Sequence, residues 1–385
     1  MSQTPAGKSI GLYALNPLPR DRCRTSGATK IQTKEYRMTF HMLLCLVIAL
    51  VLPGLVFAAA PNTMRVAGNF SFNVMHVEQV ERPFFNTLAE KSGIDLKVTY
   101  NPMDVVNVQA ADALRTLRSG TFDVMSVQIG MASRDDPFLE GLDLIGVSTN
   151  LKDLRVAVDA YRDVFDKRLQ QRFNAKVLTL WPFGPQVFFS NKPLTGITDF
   201  KGLKIRSFTP SMAALLQHFG ATPVTMQFSE VYTALQRGVV DAGVTAPVAG
   251  NTANWPEVTT HQYPLAVSGS VQGHFVNLNY WNRFSPETQK KLLTHFKQME
   301  DAMWSLSGSV NDDAVLCNTG QADCQNAKKF SMVLVPVSPE DSAKVHAAVN
   351  EVVLPLWKNA CDKVFPEGSS IWNETVGKAR GFTIK

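Results

Sequence analysis

Arg206 lies in Lys201-Gly-Leu-Lys-Ile-Arg-Ser-Phe-Thr-Pro210, where Leu203, Ile205 and Phe208 supply the apolar bulk of a buried strand. A guanidinium keeps its charge at any physiological pH. In a closed cleft it can hold a carboxylate through a charge-assisted, bidentate pair. Otherwise it pairs with an internal acid such as Glu230, or its apolar stem carries the head out to solvent. Signatures of catalysis are missing: there is no GxGxxG, P-loop, GxSxG or HExxH. His76, His218, His261, His274, His295 and His346 share no short spacing and read as surface or satisfied structural groups. Asp135-Asp136 can serve acid–base work or form a solvated turn before a helix. Cys317 and Cys324, separated by six residues including Gly320, have ample room for a small disulfide loop in an oxidising compartment. Cys361 reads as a buried thiol. With no histidine at ligand spacing from these cysteines, neither a metal nor a cofactor is expected.

The net charge of +5 does not describe the folded part. Residues 1–60 carry Lys8, Arg20, Arg22, Arg24, Lys30, Lys34 and Arg37 against Asp21 and Glu35, and the remainder is balanced, 31 basic residues against 31 acidic. No basic surface calls for a nucleic-acid partner. The basic leader precedes an apolar run, Met42 to Phe57, broken by Pro53-Gly54 and followed by Ala58, Ala59 and Ala60. That order is the pattern of a secretory signal peptide, cut after Ala58 or Ala60. A membrane anchor is the alternative, but the run is a little short for a span and lacks a basic stop-transfer flank. The expectation is therefore an exported chain that is not membrane-embedded once processed.

What must position Arg206 is an α/β body. Thr63–Phe70 and Ile94–Tyr100 alternate as strands, while His76–Gly93 and Asn107–Gly120 read as amphipathic helices closed by glycine. Leu-Arg-Ser-Gly-Thr-Phe-Asp-Val at 117–124 returns as Leu-Gln-Arg-Gly-Val-Val-Asp-Ala at 235–242, a helix end, a glycine cap, an aspartate and a strand. Two such units imply two α/β lobes, either by design or by a chance match of a short pattern. Ligands of open α/β sheets collect at the carboxyl ends of strands, which brings Gln128 and Thr245 into the candidate site; Asp123 and Asp241 read as turn and cap residues. Val177–Leu194 and Val267–Trp281 read as strands crossing between lobes, and Ser285-Pro286 opens a helix of many turns. After Met332 the chain reads as a strand, then a helix from about Ser338 to Val364 with a break at Pro355.

Residues 190–242 carry a longer signature: Asn191-Lys-Pro, Asp199-Phe-Lys-Gly-Leu-Lys-Ile-Arg206, Gly220-Ala-Thr-Pro-Val and Phe228-Ser-Glu-Val-Tyr-Thr-Ala-Leu-Gln-Arg-Gly-Val-Val-Asp241. This resembles the solute-binding subunits of tripartite ATP-independent periplasmic (TRAP) transporters, the DctP-like family, with weaker similarity from Met64 to the C-terminus. The resemblance implies a two-lobed periplasmic-binding-protein fold with crossing hinge strands and a long hinge-spanning helix. It implies lobes made of 61–183 with 271–310 and of 184–270 with 311–385, closing over a small carboxylate that is delivered to the permease subunits. By position, Arg206 would meet the carboxylate and Phe228 would pack on the ligand. Gln186 stands where many members have a second arginine, and Thr245 where many have asparagine. These departures speak against assuming sialic-acid or C4-dicarboxylate specificity. Trp181 and Phe183 can form an aromatic wall or belong to the crossing-strand core. A ligand-sensing receptor, or less readily an enzyme on the same fold, is the alternative function.

Overall fold

The computed structural model describes residues 60–385; the leader, its apolar run and the cut after Ala58 lie outside the described residues. Eleven strands are present among them: β1 (Thr63–Gly68), β2 (Lys97–Pro102), β3 (Val124–Gln128), β4 (Ala175–Pro182), β5 (Val187–Ser190), β6 (Lys204–Ser207), β7 (Thr222–Thr225), β8 (Ala242–Thr245), β9 (His261–Tyr263), β10 (Val271–Asn277) and β11 (Val333–Leu334). They form two sheets, ordered β2-β1-β3-β10-β4 and β11-β9-β5-β8-β6-β7.

The same core pattern is built twice. β1 runs parallel to β2 and β3 with β10 antiparallel beside them, and β6 runs parallel to β7 and β8 with β5 antiparallel beside them. β3 and β8, covered on both faces, are apolar nearly throughout, as central strands must be. The repeated sequence unit enters each of them. Gly120 and Gly238, at φ +77° and +67°, end the preceding helices. The Asp123 carboxylate then accepts the backbone N–H of Arg65 in β1 at 2.7 Å, and Asp241 accepts that of Lys204 in β6 at 2.9 Å. These aspartates clasp strand to strand.

Two segments connect the sheets. β4 passes through residues 183–186 into β5, and the chain returns from β9 to β10 through residues 264–270. The crossings bond to each other: Phe183 N–H to Ser270 O at 3.1 Å, Gly184 N–H to Gly269 O at 3.1 Å and Gln186 N–H to Ser268 O at 2.8 Å. Gly184 sits at φ +141°, and a Cβ there would stand 2.1 Å from Asn311 Nδ2. Only glycine suits that backbone and that approach.

Asn311 belongs to the long helix Pro286–Asn318, which Ser285 caps by accepting the Thr288 N–H. Its amide donates to Phe183 O at 3.1 Å, and its oxygen accepts the Val248 N–H at 3.1 Å. Met299, Met303, Val310 and Ala314 of this helix pack in one core with Met64 and Phe85 beside the first sheet and with Ala246 and Val248 beyond β8. Beyond the helix, the Cys317–Cys324 disulfide is formed and Cys361 is a buried thiol.

The C-terminal segment departs from the expected division. Val345 and Ala348 pack with Ile205 and Val244 of the second sheet. Val349, Val353, Trp357, Trp372 and Ile384 pack instead with Phe138, Tyr161 and Phe165 in the core of the first. Residues from Val349 onward therefore do not follow the expectation that 311–385 belongs wholly with the second lobe. An amphipathic pattern reveals that a face is buried, not against which sheet. The indole N–H groups of Trp357 and Trp372 donate to Pro137 O and Gly141 O at 2.8 and 2.9 Å, fixing the choice. Nor does Pro355 break the helix. A π-turn over Val349–Val353 widens the backbone ahead of it and accommodates the missing N–H and the bulk of the ring. The strand expected after Met332 is short, just Val333–Leu334.

Candidate functional site

A cleft lies where the carboxyl ends of β1, β3 and β8 converge with β6 and the two crossings. Gln128, Gln186, Arg206, Phe228 and Thr245 all line it. It has about 60 Å³ of room for the centres of water molecules, a space for a small ligand and not for a polymer.

Arg206 is 2% exposed. Its Nη1 donates to Val244 O at 2.8 Å and its Nε, more weakly, to Met226 O at 3.4 Å. The guanidinium carbon stands 4.9 Å from the Phe208 ring centre and 6.0 Å from that of Phe228. Neither internal alternative holds: the head is not in solvent, and among the described residues no carboxylate pairs with it. Glu230 turns to the Gln227 N–H at 3.0 Å, in a capping box that starts the helix Phe228–Gln236. Burial pushes the Arg206 pKa down to about 9, so the group remains charged at neutral pH. Burying a cation against neutral carbonyls is costly until an anion joins it.

The other expected residues offer neutral polar groups. Gln186, on the first crossing, spends one amide N–H on Gly184 O at 3.0 Å. The side chains of Thr245 and Gln128, at the ends of β8 and β3, make no hydrogen bond among the described residues. Phe228 stands in a column of stacked rings: Phe70 on Phe72 at 5.2 Å, Phe72 on Phe228 at 4.9 Å and Phe228 on Trp255 at 5.3 Å. Phe70 and Phe72 follow β1 whereas Phe228 and Trp255 belong beside the second sheet, so the column bridges the cleft. The two aromatic candidates separate: Phe183 lines the cleft, while Trp181 is buried in the core against His76.

Sequence reasoning missed Asn69, Phe72, Asn73 and Gln272 in the wall. The signal was present in Asn69-Phe-Ser-Phe-Asn73, a polar and aromatic stretch directly after the end of β1. Applying the strand-end rule to β1 as well as to β3 and β8 would have found it.

Acids sit behind the wall. The Glu81 carboxylate, at the end of a π-turn, accepts the Asn69 N–H at 2.9 Å, the Tyr100 hydroxyl at 2.8 Å and His274 Nε2 at 2.7 Å. Thr179 Oγ1 lies 2.7 Å from His274 Nδ1, so His274 is a fully engaged structural histidine. Asp136 pairs with Arg168 at 2.7 Å in the interior, and Asp135 pairs with Arg115; neither lines the cleft. Asp143 accepts the Val271 N–H at the second crossing at 3.3 Å, and burial pushes its pKa up to about 7. A carboxyl group raised on folding stabilises most when protonated, and this contribution is lost as pH rises from about 4 to 7. Asp143→Asn is therefore expected to flatten the fall in melting temperature over that window, measured by thermal denaturation across pH. An unchanged slope would assign the titration elsewhere.

The family model for bacterial extracellular solute-binding protein, family 7 (DctP) matches residues 73–359. The sialic acid-binding periplasmic protein SiaP of Vibrio cholerae is 35% identical over 161 residues, 40% of this chain and 49% of that protein. The C4-dicarboxylate-binding periplasmic protein DctP of Rhodobacter capsulatus is 28% identical over 199 residues, 47% and 58% of the two chains. These alignments span about half the length of both relatives. Among solved structures, a Bordetella pertussis extracytoplasmic solute receptor binding pyroglutamic acid superposes with TM-score 0.70 at 17% identity, covering 81% of this chain and 98% of that one. A TRAP periplasmic solute-binding protein from Desulfovibrio salexigens with bound orotic acid gives 0.71 at 17% identity, covering 83% and 99%. The architecture is accordingly the α/β, two-lobed fold of TRAP periplasmic binding proteins. The family match takes in every strand but β1 and both crossings, and the chain belongs to bacterial extracellular solute-binding protein family 7, the DctP family.

Proposed function

We propose that this chain is the solute receptor of a TRAP transporter, exported to the periplasm on a cleavable signal peptide whose apolar stretch is about 42–57. It captures a small organic acid by hinge closure and delivers it to the membrane permease subunits. The observation that carries this reading is Arg206, a cation 2% exposed in a cleft between two sheets and, among the described residues, without an acid to balance it. A bound carboxylate supplies that charge, Phe228 packs on the ligand, and Gln128, Gln186 and Thr245 offer hydrogen bonds. The crossings at 183–186 and 264–270 act as the hinge, with 61–183 and 271–310 in one lobe and 184–270 in the other. Delivery then requires the permease to favour the closed, loaded form over the open one.

A thermal-shift screen of the processed chain against small organic acids tests this. A ligand of the cleft raises the melting temperature by mass action, by about 2.7 kcal/mol of stability at a hundred times its dissociation constant. A concentration-dependent rise with at least one carboxylate is the expected result. Stabilisation by neutral sugars or amines, with none from any acid, would sink the proposal.

A further inference from the structure

We infer that the cleft favours an acid with a single negative charge whose other polar function is a carboxamide, and that it disfavours dicarboxylates. This rests on the reading of Arg206 as the partner of the ligand carboxylate. Charge gives the first argument. Arg206 is the one charged side chain in the cleft wall among the described residues; the other polar side chains there are carboxamides and hydroxyls. Two acids hold the wall from behind, Glu81 on the Asn69 N–H and Asp143 on the N–H groups of Gly269 and Val271, either side of Ser270. A second carboxylate would enter a closed space with no second cation in its wall, at the cost of its own desolvation. A neutral amide avoids that cost.

Hydrogen bonding gives the second argument. Asn69 Oδ1 accepts the Phe70 N–H at 2.8 Å and Asn73 Nδ2 at 2.7 Å. The Phe70 N–H fixes which end of the Asn69 amide is oxygen, because the reversed amide would set two donors against each other. Asn73 must then present its nitrogen to Asn69. What remains is a donor, Asn69 Nδ2, and an acceptor, Asn73 Oδ1, both shut away from solvent and both without a partner among the described residues. They belong to neighbouring residues of the cleft wall, 3% and 8% exposed. A carboxamide complements the pair, its C=O accepting from Asn69 and its N–H donating to Asn73. A carboxylate brings acceptors alone and sets lone pairs against Asn73 Oδ1.

The test is calorimetric titration of the processed chain with five probes: pyroglutamate and succinamate as amide acids, succinate and glutarate as diacids, and cyclopentanecarboxylate as a monoacid lacking the amide. At least one amide acid is expected to bind about tenfold or more tighter than both diacids and the monoacid. Asn73→Leu should remove the advantage over cyclopentanecarboxylate by weakening the amide acids, and a cooperative melting transition of the unliganded variant shows that it is folded. A diacid that binds as tightly as the amide acids overturns the inference, as does an amide preference that survives Asn73→Leu, or binding by none of the five. Arg206→Met separates the two readings. If it abolishes binding of a preferred diacid, the carboxylate site stands and the inference about charge fails. If the amide acids still bind to it as to wild type, the carboxylate reading itself has failed.

Discussion

Arg206→Met is expected to abolish the response to carboxylates without weakening the unliganded protein. Methionine fills much of the space of the arginine stem, so the fold loses a buried cation and two hydrogen bonds to carbonyls rather than an ion pair. Replacing a buried charge by an apolar side chain of similar volume is often neutral or stabilising. The ligand, by contrast, loses its charge partner in a desolvated site, a change worth about 2–5 kcal/mol, or roughly 30-fold to several thousand-fold in affinity. The two effects separate in one measurement: the melting temperature of the unliganded variant holds or rises, and the shift on adding acid disappears. A variant that falls apart on its own, or binds as wild type does, would make Arg206 a structural residue.

Glu81→Ala should produce the largest loss of stability of any change near the cleft. The carboxylate is fully buried and receives the Asn69 N–H, the Tyr100 hydroxyl and His274. Alanine leaves these three without a partner and opens a cavity behind the wall. Breaking such a buried pair costs about 3–5 kcal/mol, roughly 4–7 °C in melting temperature for a chain of this size. Affinity should fall as well, because the Asn69 N–H is what ties the stretch from Asn69 to Asn73 to the core. Glu81→Gln, which keeps the shape and one acceptor oxygen, should lose less. A melting temperature within about 2 °C of wild type for the alanine variant would show that the network is not holding the lobe.

How much of this was legible in the sequence depends on how local the signal was. The paired helix-to-strand units were visible because a capping glycine and a clasping aspartate act over a few residues, and both recur in the structure at Gly120–Asp123 and Gly238–Asp241. Arg206 was visible because a permanent charge conflicts with an apolar strand. Its five-residue set, with Gln128, Gln186, Phe228 and Thr245, does share one cleft. What could not be read was long-range. Glu81 and His274 are 193 residues apart and carry no shared motif, so their contact was invisible. The placement of Val349 to Ile384 on the first sheet's core was equally hidden, because sidedness is a property of the partner. Asn69 and Asn73 were missed for a different reason: the strand-end rule applied to them and was not used on β1.

The late return of the C-terminal helices to the first core also has a consequence in time. β5 through β9 span residues 187–263 without interruption, so five of the six strands of one sheet are available as soon as that middle stretch has been made. The other sheet needs β10 at 271–277, and its core needs Trp357, Trp372 and Ile384, all of which follow it in the chain. A chain that emerges N-terminus first thus completes its earliest segment last. Until residue 384 is free, Phe138, Tyr161 and Phe165 keep apolar surface uncovered, the state in which nascent chains aggregate or are held open by other proteins.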